Sequence, residues 1–422
     1  MSMSVLESLV PSLRAEFPAL QRQWQGRGVI YLDGPAGSQV PEAVIHAVSD
    51  YYRAHNANRA GKFATSRETD ELMNEAHCAA AAWFGVDDPN ETVFGANMTT
   101  LTFQFSRAHS RTWQAGDRVV VTSLDHDANV SPWRLAAADR GVEVRTVRVR
   151  TEDATLDFDD FRAALNERTR MVAITCASNS VGTRTPVKQL IEWAHQCGAE
   201  VYLDAVHYAP HSLLDVKAWN ADFCVCSAYK FFGPHVGLLW GRAARLAELQ
   251  AYKVEPAPSQ APGKWMTGTQ NHAAICGVRA AIDYLCGIGR QVAGDASLAR
   301  RAALCNAFSA IEQYEMNLAK RLITGLAAIP NVRVFGITDP ARFTERVPTV
   351  VLSIGDLNSA DSAAKLDKRG IYCWHGHYYA IAICDALGQS QRGMVRLGLM
   401  HTNTREEVER TLEAVAEIAR AD

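Results

Sequence analysis

The chain has 422 residues, 48% of them hydrophobic and 21% charged, with a formal net charge of -3. That length suggests about two domains and that composition a soluble globular protein. The charge supplies no basic field for nucleic acid and no polybasic membrane patch, and no apolar stretch approaches the roughly twenty residues that span a bilayer.

The start, Met1-Ser2-Met3-Ser4-Val5-Leu6-Glu7-Ser8, lacks the basic opening and apolar core of a signal peptide, so the cytoplasm is the expected location. The first thirty residues carry a short helix-like stretch. A strand follows at Val29-Ile30-Tyr31-Leu32-Asp33, broken by Gly34-Pro35-Ala36-Gly37-Ser38. Helical periods cover 41–54 and 67–84. Apolar runs then recur at 92–95, 118–122, 143–149, 171–176, 200–205, 221–226 and 236–241, mostly separated by amphipathic helical segments. Strands alternating with helices predict an α/β unit with a mostly parallel seven-stranded sheet covered on both faces. The run from Val236 follows too closely for a crossover helix, so one strand is expected to be antiparallel.

Residues 250–272, rich in Pro, Gly, Gln and Ser, read as a loop, and long helices are expected over 273–288 and 299–328. Beyond Val332 the pattern changes to strands at 332–335, 348–354, 371–374 and 394–399 with helices at 359–369 and 404–420. The expected organisation is an N-terminal segment 1–30 packing with a smaller α+β C-terminal domain 291–422, and a large domain 31–290 between them. The ten cysteines include no CxxC pair. Cys224 and Cys226 alternate along a strand and face the same way, which suits buried apolar residues in a reducing compartment better than zinc.

Five polar segments fall at the ends of five candidate strands, where ligands of open α/β sheets bind. Gly95-Ala96-Asn97-Met98-Thr99-Thr100 opens a helix and can offer N–H groups and hydroxyls to an anion, although Thr also serves as an ordinary N-cap. Ser123-Leu124-Asp125-His126-Asp127-Ala128-Asn129 carries a histidine with a core or a metal reading, the alternating directions of the side chains disfavouring metal. Asn179 follows the strand ending at Cys176. Asp204 ends Val201-Tyr202-Leu203-Asp204, and Lys230 ends the apolar run from Ala221, with Ser227 three residues before it. A poorly solvated lysine favours its neutral, nucleophilic amine, whereas a strand-end lysine reaching water is the plain alternative. Lys230 and Asp204 on successive strands are what pyridoxal 5'-phosphate (PLP) needs: an amine to carry it and a carboxylate to keep its pyridine nitrogen protonated.

These segments, with Pro132-Trp133, Ser178-Asn179-Ser180-Val181-Gly182, Asp204-Ala205-Val206-His207, Ser227-Ala228-Tyr229-Lys230, Gly268-Thr269-Gln270-Asn271 and Arg396, make the chain resemble the class V aminotransferase family of fold-type I PLP enzymes. The likeness is to the cysteine desulfurase and selenocysteine lyase branch, and it runs from about Tyr31 to Val415. It implies that Lys230 bonds the cofactor and moves the α-proton, that Asp204 pairs with the pyridinium, and that His126 stacks on the ring and aids proton transfer. Asn179 and His207 would neighbour the phenolic oxygen, His207 standing where the family usually has Gln. Thr99 and Ser227 would hold phosphate with Thr269 from a partner subunit, in a homodimer whose active site is shared. Arg396 would clamp the α-carboxylate of an amino-acid-like substrate.

The resemblance breaks at one place. Desulfurases of this branch carry a persulfide-forming cysteine on the loop that here reads Trp374-His375-Gly376-His377-Tyr378-Tyr379, with Tyr379 at the cysteine position and Trp374 at a usual arginine. Cys373 and Cys384 lie to either side. Trp374, His377 and Tyr379 are expected to wall an aromatic, substrate-binding pocket. The expected reaction is β-elimination of the C–S or C–Se type without a persulfide cysteine, with transamination or epimerisation as the alternative. A metal-dependent hydrolase using Asp125, His126, Asp127, His375 and His377, or a non-catalytic PLP-binding protein, are remoter readings.

Overall fold

The computed structural model describes residues 5–421, so residues 1–4 of the expected N-terminal segment, and Asp422, lie outside the described residues. Seven strands form the large sheet: β1 (Thr92–Gly95), β2 (Arg118–Thr122), β3 (Glu143–Val147), β4 (Thr169–Thr175), β5 (Glu200–Asp204), β6 (Phe223–Ser227) and β7 (Gly237–Gly241). Their order is β1-β7-β6-β5-β4-β2-β3. The pairs from β6 to β3 are parallel, and β7 is antiparallel to both of its neighbours. Val119–Val121, Met171–Ile174 and Val201–Leu203 are buried along their whole length, as strands covered on both faces must be. Only residues 228–236 separate β6 from β7, which forces the reversal. Because β1 is antiparallel to β7, it runs with β6 and delivers its C-terminal end to the same edge of the sheet as the others.

The expected strand into Lys230 stops earlier. β6 ends at Ser227, and Ala228–Lys230 make one 3-10 turn, with the Phe231 and Gly233 N–H groups folding back onto the Ala228 carbonyl. Lys230 therefore sits on a tight turn fixed by backbone bonds.

A second sheet holds β8 (Val332–Phe335), β9 (Thr349–Ile354), β10 (Trp374–Gly376) and β11 (Met394–Gly398) in the antiparallel order β8-β9-β11-β10. The expected strand 371–374 is broken. Ile371–Tyr372 pairs in parallel with Ile30–Tyr31, whereas Trp374 belongs to β10, so Cys373 bridges two sheets. The backbone must leave one partner to reach the other, and no single strand can do both. The helix Val5–Ala15 buries Leu6, Val10 and Leu13, and Arg14 donates to Glu407 at 2.8 Å on the last helix, Arg405–Ala421. Among the described residues no helix is long and apolar enough to cross a membrane.

Gly237 shows how the large sheet positions its loops. A Cβ there would lie 2.4 Å from the Asn97 carbonyl carbon, so only glycine lets β7 pass beneath the turn that follows β1. Gly237→Ala should lower the stability by about 1–3 kcal/mol through this backbone clash. Urea unfolding measures it, and an unchanged midpoint would show that the turn is not held against β7.

Candidate active site

The C-terminal ends of β1, β2, β4, β5 and β6 meet β11 and the 374–380 loop around one cavity of about 680 Å³. Thr99, His126, Asn179, Asp204, His207, Ser227, Lys230, Trp374, Tyr379 and Arg396 all line it. Two nominated residues do not. Thr269 is exposed in a separate pocket with Asn58, Arg59 and His272. His377 is exposed, and its Nδ1 accepts the Tyr379 N–H at 3.1 Å, so within this chain it supports the loop backbone and leaves the cavity wall to its neighbours.

Burial governs the charges. The Lys230 amine donates to the carbonyls of Ala36, at 3.0 Å, and Pro35. Burial, and then the positive charge of Arg396, bring its pKa down to about 7, while Asp33 and Asp204 oppose the fall. Asp204 is 3% exposed and is pushed up to about 6 by burial, with the Val206 N–H at 2.8 Å and the Lys230 charge holding it back. Arg396 is buried. It donates from Nη1 to the Asn179 carbonyl at 2.8 Å, lies 4.4 Å over the Tyr378 ring, and has Asp33 Oδ1 4.0 Å from Nη2. Its Nε has no hydrogen-bond partner, and neither has Asp33 Oδ1. A buried guanidinium so sparsely satisfied gains strongly from an arriving carboxylate.

At the opposite end, the 12-residue helix Met98–His109 points its N-terminus into the cavity. Asn97 caps it by accepting the Thr100 N–H at 2.9 Å, and the Met98 N–H donates to Ser227 Oγ at 2.9 Å. The hydroxyl hydrogen of Ser227, the Thr99 side chain and the helix dipole could together receive an anion there.

His126 Nδ1 accepts the Ala128 N–H at 3.0 Å, which leaves the proton on Nε2. Burial first, then the Lys230 charge, push its pKa down to about 4, so the ring is neutral at ordinary pH. His207 is held well below its usual range by burial and by the charges of His211, Arg396 and Lys230. Its Nε2 bonds Thr349 Oγ1 at 2.9 Å and its Nδ1 has no partner. Asn179 donates from Nδ2 to the Tyr378 carbonyl at 2.9 Å, leaving Oδ1 buried without a partner. Asp125 accepts from Thr122 and from Asn129, and both oxygens of Asp127 accept from Ser131, so these carboxylates cap the turn after β2.

The 374–380 loop closes the mouth. Gly376, Tyr378 and Tyr379 have φ of 102°, 55° and 57°. Left-handed backbone costs a non-glycine residue roughly 1–2 kcal/mol, offset here by the Asn179 side chain, by the Asp127 N–H donating to the Tyr379 carbonyl at 2.8 Å, and by the Tyr378 hydroxyl donating to Met394 O. No cysteine lines the cavity among the described residues. Burial lifts the Cys373 thiol to about 12 and the Cys384 thiol, in the helix Ile381–Ala386, to about 11.

Sequence reasoning gave no role to Asp33, or to the stacked Tyr229 and His235 rings, 4.8 Å apart and 8° from parallel in the same cavity. Tyr31-Leu32-Asp33 was visible as a motif, and Tyr229 precedes the lysine, but neither Asp33's nearness to Arg396 nor the stacking follows from local text.

The family model for aminotransferase class V matches residues 30–411. Cysteine desulfurases of Salmonella agona and Cronobacter sakazakii are 30% and 29% identical to this chain, each over 97% of it and 98% of the relative. Among solved structures, a cysteine desulfurase of Thermococcus onnurineus superposes with a TM-score of 0.86 at 24% identity, and one of Escherichia coli with 0.83 at 24%, each covering 98% of both chains. The expected fold is thus present, and the family's cofactor is PLP. The residues fit it: an amine brought to about pH 7, a buried carboxylate for a pyridinium, a helix N-terminus for phosphate, and unpartnered buried atoms on Asn179 and His207.

The lowered Lys230 pKa sets a pH dependence. The neutral amine dominates above pH 7, so PLP capture by the cofactor-free protein should slow about tenfold per unit below that and level off above it. Stopped-flow absorbance checks this; a profile still rising toward the ordinary lysine pKa would place Lys230 in water. Lys230→Ala should fold, and borohydride treatment in the presence of PLP should leave no cofactor bonded to the chain, as mass spectrometry reads.

Proposed function

We propose that the chain, which belongs to the class V aminotransferase family and is a PLP-dependent enzyme, catalyses β-elimination from an amino-acid substrate without first capturing the leaving sulfur or selenium on a cysteine. The carrying observation is a cavity that holds Lys230, Asp204 and Arg396 together and that, among the described residues, no cysteine lines. When bound, PLP supplies an electron sink that acidifies the substrate's α-hydrogen.

The chain's own residues would do the rest. Arg396 fixes the α-carboxylate by charge-assisted hydrogen bonds, its free Nε adding a donor. Lys230 Nζ takes the α-proton, because an amine titrating near 7 is available at neutral pH and returns the proton readily. Asp204 would keep a proton at the pyridine nitrogen, Thr99 and Ser227 would hold the phosphate, and Asn179 and His207 would serve the phenolic oxygen. The neutral His126 ring would stack on the cofactor, with its Nε2–H available as donor. The Cα–H and Cβ–S or Cβ–Se bonds break, the substituent leaves with the bonding pair, and water releases the carbon skeleton as pyruvate and ammonia.

Thr269 belongs to this proposal only through a homodimer. Its loop is exposed and away from its own cavity, so a second copy would be needed to bring it to the phosphate. All ten cysteines are free thiols, which supports a reducing compartment and hence the cytoplasm.

Replacing both Cys373 and Cys384 with Ser should leave pyruvate formation within about twofold of wild type, since thiols held at about 11 to 12 carry little thiolate at neutral pH. Mass spectrometry after incubation with cysteine or selenocysteine should show an unmodified chain. A persulfide on either residue, with activity lost on its removal, would restore a desulfurase with a relocated nucleophile. Amino-group transfer to a keto acid, or racemised substrate, in place of pyruvate would convert the reading to transamination or epimerisation.

A further inference from the structure

We propose that Trp374 and Tyr379 form a fixed aromatic slot selecting substrates with a flat apolar side chain, so that an S-benzyl- or S-aryl-substituted cysteine is preferred over cysteine itself. The elimination of such a substituent rests on the reading above; its binding does not.

The strand register carries the first half of the argument. Trp374 on β10 lies directly opposite Arg396 on β11. Directly opposed residues of an antiparallel pair share a face, with Cβ atoms about 4.5–5.5 Å apart. A substrate whose carboxylate sits on Arg396 therefore places its side chain beside the Trp374 indole. The second half comes from the loop. The Tyr379 ring lies 5.6 Å from the His126 ring, at 35° to it, and both line the cavity. Trp374 and Tyr379 are 51% and 66% exposed, and although the His375 ring stacks on Trp374 at 6.5 Å and the His377 ring meets Tyr379 edge-on at 6.0 Å, part of each ring stands open at the mouth. An aryl group inserted there would stack at the ring separations of about 4.5–7 Å that aromatic pairs prefer.

The backbone that carries the Tyr379 ring is held in place. The Tyr379 carbonyl is tied to the Asp127 N–H, the Tyr379 N–H to His377, and the Tyr378 carbonyl to Asn179, with two successive tyrosines held in left-handed backbone. The polar groups at the mouth are engaged with neighbours: both Asp127 oxygens accept from Ser131, and the His375 and His377 rings lie against Trp374 and Tyr379.

Spectral titration of the PLP-loaded enzyme with L-phenylalanine and L-alanine tests the slot, since neither has a β-leaving group of this kind. Phenylalanine should bind at least about tenfold tighter, a difference that two ring contacts can supply. Trp374→Ala and Tyr379→Ala should each collapse that ratio toward one, while Tyr379→Phe keeps it. For S-benzyl-L-cysteine, the alanine variants should raise KM far more than they lower kcat. Equal affinity for the two amino acids in the wild type, or a ratio untouched by both alanine variants, overturns the slot even if cysteine still yields pyruvate. Tight, ring-dependent binding of S-benzyl-L-cysteine with no pyruvate would uphold the slot and remove the elimination reading instead.

Discussion

Unlike charges buried at one sheet edge are the constraint on which the site depends. Arg396 and Lys230 are both cationic groups withdrawn from water, and each makes the other's charge more costly. Asp204 and Asp33 offset part of this. The balance is resolved by protonation: Lys230 becomes an amine that can be neutral near pH 7, Asp33 and Asp204 climb to about 6, and Arg396 retains its charge because guanidinium has no accessible neutral form. The same desolvation that lowers the Lys230 pKa leaves Arg396 sparsely satisfied, so the proposed reacting and carboxylate-binding groups share one physical cause.

Backbone bonds transmit that arrangement between the two sheets. Arg346, fully buried, donates to the carbonyls of Thr349, at 2.6 Å, Val181, at 3.3 Å, and Ile337. Gly182, at φ 78°, passes so close that a Cβ would lie 2.5 Å from the Thr349 oxygen. The turn carrying Asn179 is thereby bolted to β9, and Asn179 in turn reaches Arg396 through its carbonyl and Tyr378 through its amide. Thr349 also bonds His207 through its hydroxyl. A shift of β9 would move the carboxylate clamp, the loop at the mouth and the imidazole together.

Much of this was legible in sequence because it is local. Continuous apolar runs such as Met171–Cys176 and Val201–Leu203 read as strands buried on both faces, and the polar residues just beyond them had to collect at one edge. Lys230 and Asp204 were recognisable from that pattern alone. What stayed hidden depends on contacts across the chain or on dihedral angles. The role of Asp33 comes from a bridge to Gly398 that sets it near Arg396. The break at Cys373 reflects competition between two pairing partners. Two tyrosines in left-handed backbone could not be inferred, since that conformation is paid for by Asn179 and Asp127, far away in sequence. His377 was nominated for its chemistry, but the turn it supports directs it outward.

The strand order also fixes a sequence of events in synthesis. β1, β2, β4, β5 and β6, which bring the anion-binding turn, His126, Asn179, Asp204 and Lys230, all lie in the first part of the chain, whereas β11 lies near its end. During vectorial folding the N-terminal part consolidates first, so the pocket for the cofactor can assemble while Arg396 is still unmade. Arg396 is thus among the last of the cavity-lining groups to be synthesised, and the cavity is complete only when the small sheet closes over the large one.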